Sequence, residues 1–373
     1  MKQFGLYMYA DVFKTCLTLC ELNIIIKLTN TCMQMYSKLE GKKMQIQEEV
    51  KQVVGQVLAK MKSNGGVKRV VWIAAGGSFG GFYPAHYFME HESKQIPSQM
   101  FTSNEFNFAT PPYVDGSTLA VICSMRGTAE TCVAAQTAKK LGATTIGLYV
   151  EESLLTETCD YNIKYDSIAL DESVTERVNS SVGLSIAMHL VSMTEGYEHF
   201  EQAMNAFAQV DDLYRKAVVA TTPLAQAWAE QNKDEKTIYV MGSGPAYGSA
   251  YIFSICNIEE MLQIDSPTIN SCEFFHGPFE VIDKEKSVFQ LVSVGRVRKA
   301  DERAVTFLKK YGGEKVYLLD GNELGLDQLD ETVAEYFNHI LFSPILNNVY
   351  MRQLSYATGE DFNTRRYMWQ VEY

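Results

Sequence analysis

The apolar positions of this chain fall into short β-branched runs separated by longer amphipathic stretches, and the arrangement occurs twice. In the first half, residues 68–75 (KRVVWIAA) read as a strand, a Gly-Gly-Ser-Phe-Gly-Gly turn follows, and a helix starts near Tyr83. In the second half, 237–241 (TIYVM) precede Gly-Ser-Gly-Pro-Ala-Tyr-Gly and another helix. The next modules match as well. Residues 117–124, 130–141 and 142–150 read strand, helix, strand, and 287–294, 301–311 and 312–320 repeat that order. Strand-length runs alternating with helical stretches predict βαβ units and parallel sheets. The expected fold is therefore α/β, with two tandem lobes, each a three-layer α/β/α sandwich around a mainly parallel sheet. The boundaries expected are an N-terminal arm or extension at 1–43, a first lobe at 44–200, a linking helical segment at 201–233, and a second lobe with its tail at 234–373. Residues 178–193 and 329–354 read as additional packing helices.

Composition narrows the partners. With 373 residues, 46% of them hydrophobic, the chain can bury a sizeable core. A net charge of −12 argues against a nucleic-acid backbone or an anionic membrane as main partner. The long uncharged run 237–258 is divided by Gly-Ser-Gly-Pro, so it is strand, turn and helix rather than a membrane span. Residues 1–43 lack a clean period, and Lys2, Asp11, Lys14, Glu21 and Lys27 interrupt their apolar stretches, which excludes a signal peptide. The eight cysteines form no CxxC and show no zinc-like spacing, so buried free thiols in a reducing cytoplasm are expected, with no metal and no cofactor.

Candidate binding residues lie in the loops that follow strands, where helix N-termini point free N–H groups at ligands. One loop offers Gly77 and Ser78; the other offers Ser124, Arg126, Thr128 and Thr131. Together they suit a phosphate, although such hydroxyls also serve as plain helix caps. No GxGxxG and no GKS or GKT is present, so a nucleotide is disfavoured.

Candidate acid–base chemistry rests on Glu260, on an apolar helix, and His276, sixteen positions later in Glu-Phe-Phe-His-Gly-Pro-Phe-Glu-Val. A carboxylate and an imidazole brought together can move protons on and off a sugar carbon. Each has a plain alternative, Glu260 as a solvated helix face beside Glu259, and His276 as a turn residue bonded to backbone. His86, His91, His189, His199 and His339 have no motif context and are taken as structural.

The pattern strand–GGS, strand–SxxGT–helix and a later Glu-x15-His ending in EFFHGP resembles the sugar isomerase (SIS) superfamily over about residues 50–373. Within it, SCEFFHGPFEVID and the C-terminal RRYMWQVEY look like the fructosamine (fructoselysine) 6-phosphate deglycases, relatives of the isomerase domain of glucosamine-6-phosphate synthase. The resemblance implies phosphosugar binding by a homodimer or larger homo-oligomer with shared sites. It implies that Ser78, Ser124 and Thr128 hold phosphate, that Glu260 is the catalytic base, and that His276 is the acid. The implied activity is cleavage of a fructosamine 6-phosphate to glucose 6-phosphate and free amine by enaminol chemistry. Two departures stand out: Arg126 occupies the place of the family's second loop Ser in a loop one residue shorter, and the tail lacks the synthase lysine. Arg126 is read as a phosphate contact in preference to a surface residue. The tail, and the absence of a glutaminase domain, speak against aminosugar synthesis. Arg365, Arg366 and Tyr373 are candidates for closing the site or simply docking the tail. An aldose–ketose phosphosugar isomerase is the alternative, and a non-catalytic phosphosugar sensor a weaker one, because no basic helix-turn-helix pattern is present.

Overall fold

The computed structural model describes residues 46–168 and 173–372. Five parallel strands form the first sheet: β1 (Arg69–Ala74), β2 (Ser98–Thr102), β3 (Thr118–Cys123), β4 (Thr144–Tyr149) and β5 (Tyr161–Lys164), in the order β2-β1-β3-β4-β5. Four more parallel strands form the second sheet: β6 (Ile238–Gly242), β7 (Thr268–Asn270), β8 (Ser287–Val292) and β9 (Val316–Asp320), in the order β7-β6-β8-β9. In each sheet the strand that opens the lobe sits inside, and order reverses beside it. The α/β class with two parallel sheets is thus present as read. The interior strands β3 and β8 are buried along their whole length, as expected of a parallel sheet covered on both faces.

The strands that escape sequence reading are the edge strands β2, β5 and β7. They are short, and their half-exposed residues carry neither a period-two alternation nor a continuous apolar run. The stretch 329–354 differs too. It is not one helix but a 3₁₀ turn (Ala334–Phe337), an α-helix (Asn338–Ile345), a π-helical segment (Leu346–Met351) and a last α-helical piece (Arg352–Thr358). Pro344 lies inside it and cannot donate the i→i−4 bond that regular helix requires.

The linking segment forms one long helix, Phe200–Asn232, whose Trp228 meets Phe289 edge-on at 5.1 Å and Tyr350 at 5.6 Å. The two glycine-rich turns meet each other. A Cβ on Gly80 would lie 2.4 Å from Ile252, and one on Gly248 would lie 2.6 Å from the Gly80 carbonyl. Only glycine lets the helix Gly76–Gly80 approach the helix Pro245–Ile252 this closely. Behind the second sheet, buried Asp301 accepts from Ser243 Oγ at 2.7 Å and from the Ser293 N–H at 2.9 Å, tying the loops after β6 and β8 together. Among the described residues no helix is long and apolar enough to cross a membrane.

His339 is buried, with Nδ1 3.0 Å from Ser249 Oγ, and burial pushes its pKa down to about 3 from an ordinary 6.5. Below pH 6.5 the unfolded chain takes up a proton that the folded chain refuses, so this residue's contribution is intact above pH 6.5 and lost as pH falls. The stability difference between the native chain and His339→Gln, followed by urea unfolding, should drift against the native chain by about 1.4 kcal/mol per pH unit between pH 6.5 and pH 4. A gap independent of pH would show that His339 titrates normally.

Candidate active site

The turn after β1 is wound into the short helix Gly76–Gly80, and Gly76 takes a φ of 54° to start it. This carries Gly77 and half-buried Ser78 to the carboxyl end of the sheet. The loop after β3 turns at Gly127, whose φ is 70°. A Cβ there would also collide with Ser153, at 2.3 Å from its Oγ. Buried Ser124 accepts the Thr128 N–H at 3.0 Å, so its hydroxyl closes the loop from inside. Thr128 Oγ1 donates to Thr131 Oγ1 at 2.9 Å, and Thr131 is joined to Ser103 Oγ at 2.8 Å. The result is a chain of hydroxyls at the N-terminus of the helix Ala129–Lys140, where the dipole favours an anion.

These loops face a cavity of about 530 Å³ whose opposite wall is the second lobe. Gly77, Ser78, Ser124, Arg126 and Thr128 line it, and so does Glu260. The five phosphate candidates and the candidate base therefore share one cavity. Arg126 reaches its rim, where its Nε bonds Glu151 Oε1 at 2.8 Å with both side chains 59% exposed. Its charge is matched by a surface carboxylate, and that pair competes with any anion for the guanidinium.

Glu260 is held by a feature that periodicity does not foretell. Phe253–Met261 is wound as a π-helix with i→i+5 bonding, which brings Cys256, Asn257, Glu260 and Met261 all to the cavity wall. It packs on the other π-helical segment, where Asn257 Nδ2 donates to Asn347 Oδ1 at 2.8 Å. Arg365 of the tail donates through Nε to Glu260 Oε1 at 2.8 Å, and the pair is only 11% and 23% exposed. Further bonds from Arg365 to the Phe362 and Thr364 carbonyls, at 2.8 and 3.0 Å, and its approach to Trp369 fix the tail over the helix. Arg366 bonds the Gln263 amide. Tyr373 lies outside the described residues.

His276 is elsewhere. It is exposed on the turn after β7, its N–H bonded to the Glu273 carbonyl at 2.9 Å, and it is not part of the cavity wall. The turn itself is rigidly held: buried Phe274 packs on Phe307 at 5.6 Å, and Phe275 and Phe279 join the same cluster. Glu260 and His276 are therefore not brought together within one chain.

Cys123, Asn179, Cys256, Asn257, His339, Asn347 and Trp369 also line the cavity and carry no motif that reveals them. Only Cys256 and Asn257 leave a trace, lying four and three positions before Glu260 on the same helix. Burial pushes the Cys123 thiol up to about 11; burial and the Glu260 charge push Cys256 up to about 12. Both thiols are protonated near neutral pH and are poor nucleophiles.

No family model matches the chain. It is 35% identical over 309 residues to fructosamine deglycase FrlB of Bacillus subtilis, covering 82% of this chain and 93% of that protein. A glutamine–fructose-6-phosphate aminotransferase (isomerizing) of Clostridium tetani is 21% identical over 78% of this chain and 48% of its own length. A crystal structure of a proposed phosphosugar isomerase from Salmonella typhimurium LT2 superposes with a TM-score of 0.84 at 36% identity, covering 88% of this chain and 99% of that one. At 35% identity over 93% of that deglycase, and with the fold of the Salmonella structure, the chain belongs to the fructosamine deglycase FrlB family of phosphosugar-processing SIS proteins.

Proposed function

We propose that the chain cleaves a fructosamine 6-phosphate to glucose 6-phosphate and free amine. The observation that carries this reading is the single cavity in which Glu260 faces Ser78, Ser124 and Thr128. The hydroxyls and helix-start N–H groups bind the phosphate, which sets C1 and C2 of the open sugar toward the carboxylate. Glu260 takes a proton from C1, the electron pair forms the C1=C2 bond as the C2 carbonyl opens, and its oxygen takes a proton from the acid to give the enaminol. Protonation at C2 with loss of the N–H proton leaves an imine at C1. Water adds to that imine and expels the amine. Each positioned acid or base is worth roughly 10²–10⁴ in rate.

Because His276 stands outside this cavity, its role as the acid requires a second copy of the chain to present its own His276 turn. The aromatic cluster beneath that turn supports such a display. A homo-oligomer with shared sites is thus part of the same reading.

The test is release of glucose 6-phosphate from fructoselysine 6-phosphate, followed by a coupled dehydrogenase, with fructose 6-phosphate as a parallel substrate. Release from the amine adduct alone is the expected result. Conversion of fructose 6-phosphate alone would make the chain an aldose–ketose isomerase, and binding without turnover of either would make it a sensor.

A further inference from the structure

Glu260 shares its helix with a buried acceptor that the proposed chemistry leaves unused. Asn257 lines the same cavity and is 1% exposed, and its Oδ1 has no hydrogen-bond partner among the described residues. A buried carbonyl oxygen left unpaired costs free energy, so it is kept where a ligand or a reaction uses it. The polarity of this amide is fixed from a distance. Asn348 Nδ2 donates to the Ile168 carbonyl at 2.9 Å, and a carbonyl can only accept. Asn348 therefore presents its Oδ1 to Asn347, whose Nδ2 donates to it at 2.8 Å. Asn347 in turn presents Oδ1 to Asn257, whose Nδ2 donates to it at 2.8 Å and faces Met261 Sδ at 3.6 Å. Turning Asn257 over would set oxygen against oxygen. The relay of three amides thus ends in a fixed acceptor, three positions before Glu260.

Resting on the deglycase reading for how the sugar lies, we propose that Asn257 Oδ1 accepts a hydrogen bond from a hydroxyl on the middle carbons, C3 or C4, of the open sugar. Asn257 is then a specificity-determining residue, and the sugars it selects are those that carry a hydroxyl there. The helix gives the direction. Cys256 Sγ accepts the Gly77 N–H of the first phosphate loop, and Glu260, one turn on, faces C1. A sugar held by its C6 phosphate and reacting at C1 runs alongside this stretch, with Asn257 between its two ends. An acceptor with no proton to give cannot bond the C2 carbonyl or a phosphate oxygen, so a donating hydroxyl is the group it fits. The amine on C1 donates as well, but it leaves the sugar on the far side of Glu260 from the phosphate loops.

Calorimetric titration with glucitol 6-phosphate, an open-chain sugar phosphate with no carbonyl to react, and with its 3-deoxy and 4-deoxy analogues tests the contact without turnover. The native chain should bind one of the two analogues about tenfold more weakly than the parent, the scale of a buried acceptor that loses its donor. Asn257→Leu should bind that analogue and the parent equally, because neither then meets an acceptor. Asn257→Asp keeps an acceptor and should keep the discrimination. A merely structural Asn257 would weaken all three ligands together in the leucine variant and leave their ratios intact, which would overturn the proposal. So would a native chain that binds both analogues as tightly as the parent, a result that needs no variant to fold. Either outcome leaves the deglycase reading standing, since that reading is tested by turnover. A native chain that does not bind glucitol 6-phosphate at all would overturn both.

Discussion

Glu260→Gln should lower turnover of a fructosamine 6-phosphate by about 10²–10⁴-fold while leaving phosphosugar binding nearly intact. The substitution keeps the shape of the side chain and an oxygen for Arg365, so the tail retains a hydrogen bond in place of the ion pair. It removes only the ability to take a proton. In the proposed reading the phosphate end is held by Ser78, Ser124 and Thr128, which line the same cavity and are left in place by the substitution. Calorimetric titration with glucose 6-phosphate reads the binding, and the coupled assay reads the turnover. Turnover equal to that of the native chain would remove Glu260 from its role as base. Loss of binding and turnover together would make it a structural member of the helix–tail contact.

Asp301→Ala should destabilise the chain by about 2–4 kcal/mol, read as a fall in the urea midpoint at unchanged m-value. The carboxylate is fully buried and accepts from Ser243 Oγ and the Ser293 N–H, with the Gln290 amide also near at 3.5 Å. Alanine leaves those donors buried without an acceptor, which costs more than the bonds were worth. Asn keeps an acceptor in the same place and should cost less than half as much. Burial pushes the Asp301 carboxyl up, so the folded chain holds this proton more tightly than the unfolded chain does. Its sign is opposite to that of His339: its contribution grows as pH falls through its raised pKa. If Asp301→Ala unfolds at the native midpoint, the loops after β6 and β8 are held by something else.

The interior strands β1, β3, β4, β6 and β8 were legible because a parallel strand covered on both faces reads as a largely apolar, β-branched run, and the edge strand β9 was legible because its run 316–319 is apolar as well. The candidate phosphate loops were legible because each glycine-rich or hydroxyl-rich turn lies directly between such a strand and a helix. The edge strands β2, β5 and β7 were not, since short half-exposed segments take their conformation from the neighbour they pair with.

By itself, then, the amino-acid sequence determined the α/β repeat, the placement of Ser78, Ser124 and Thr128 after strands, and the candidacy of Glu260. All of these follow from local pattern and short-range geometry. The tertiary structure alone decided that Glu260 would meet Arg365, 105 positions away, and that Arg126 would meet Glu151. It likewise decided that two π-helical segments would pair through Asn257 and Asn347, and that His276 would lie outside the cavity wall. Those outcomes depend on which side chains the packing of two lobes and a tail brings within hydrogen-bond reach. Contacts of that kind, made across long stretches of chain, leave no period and no motif in the residues between.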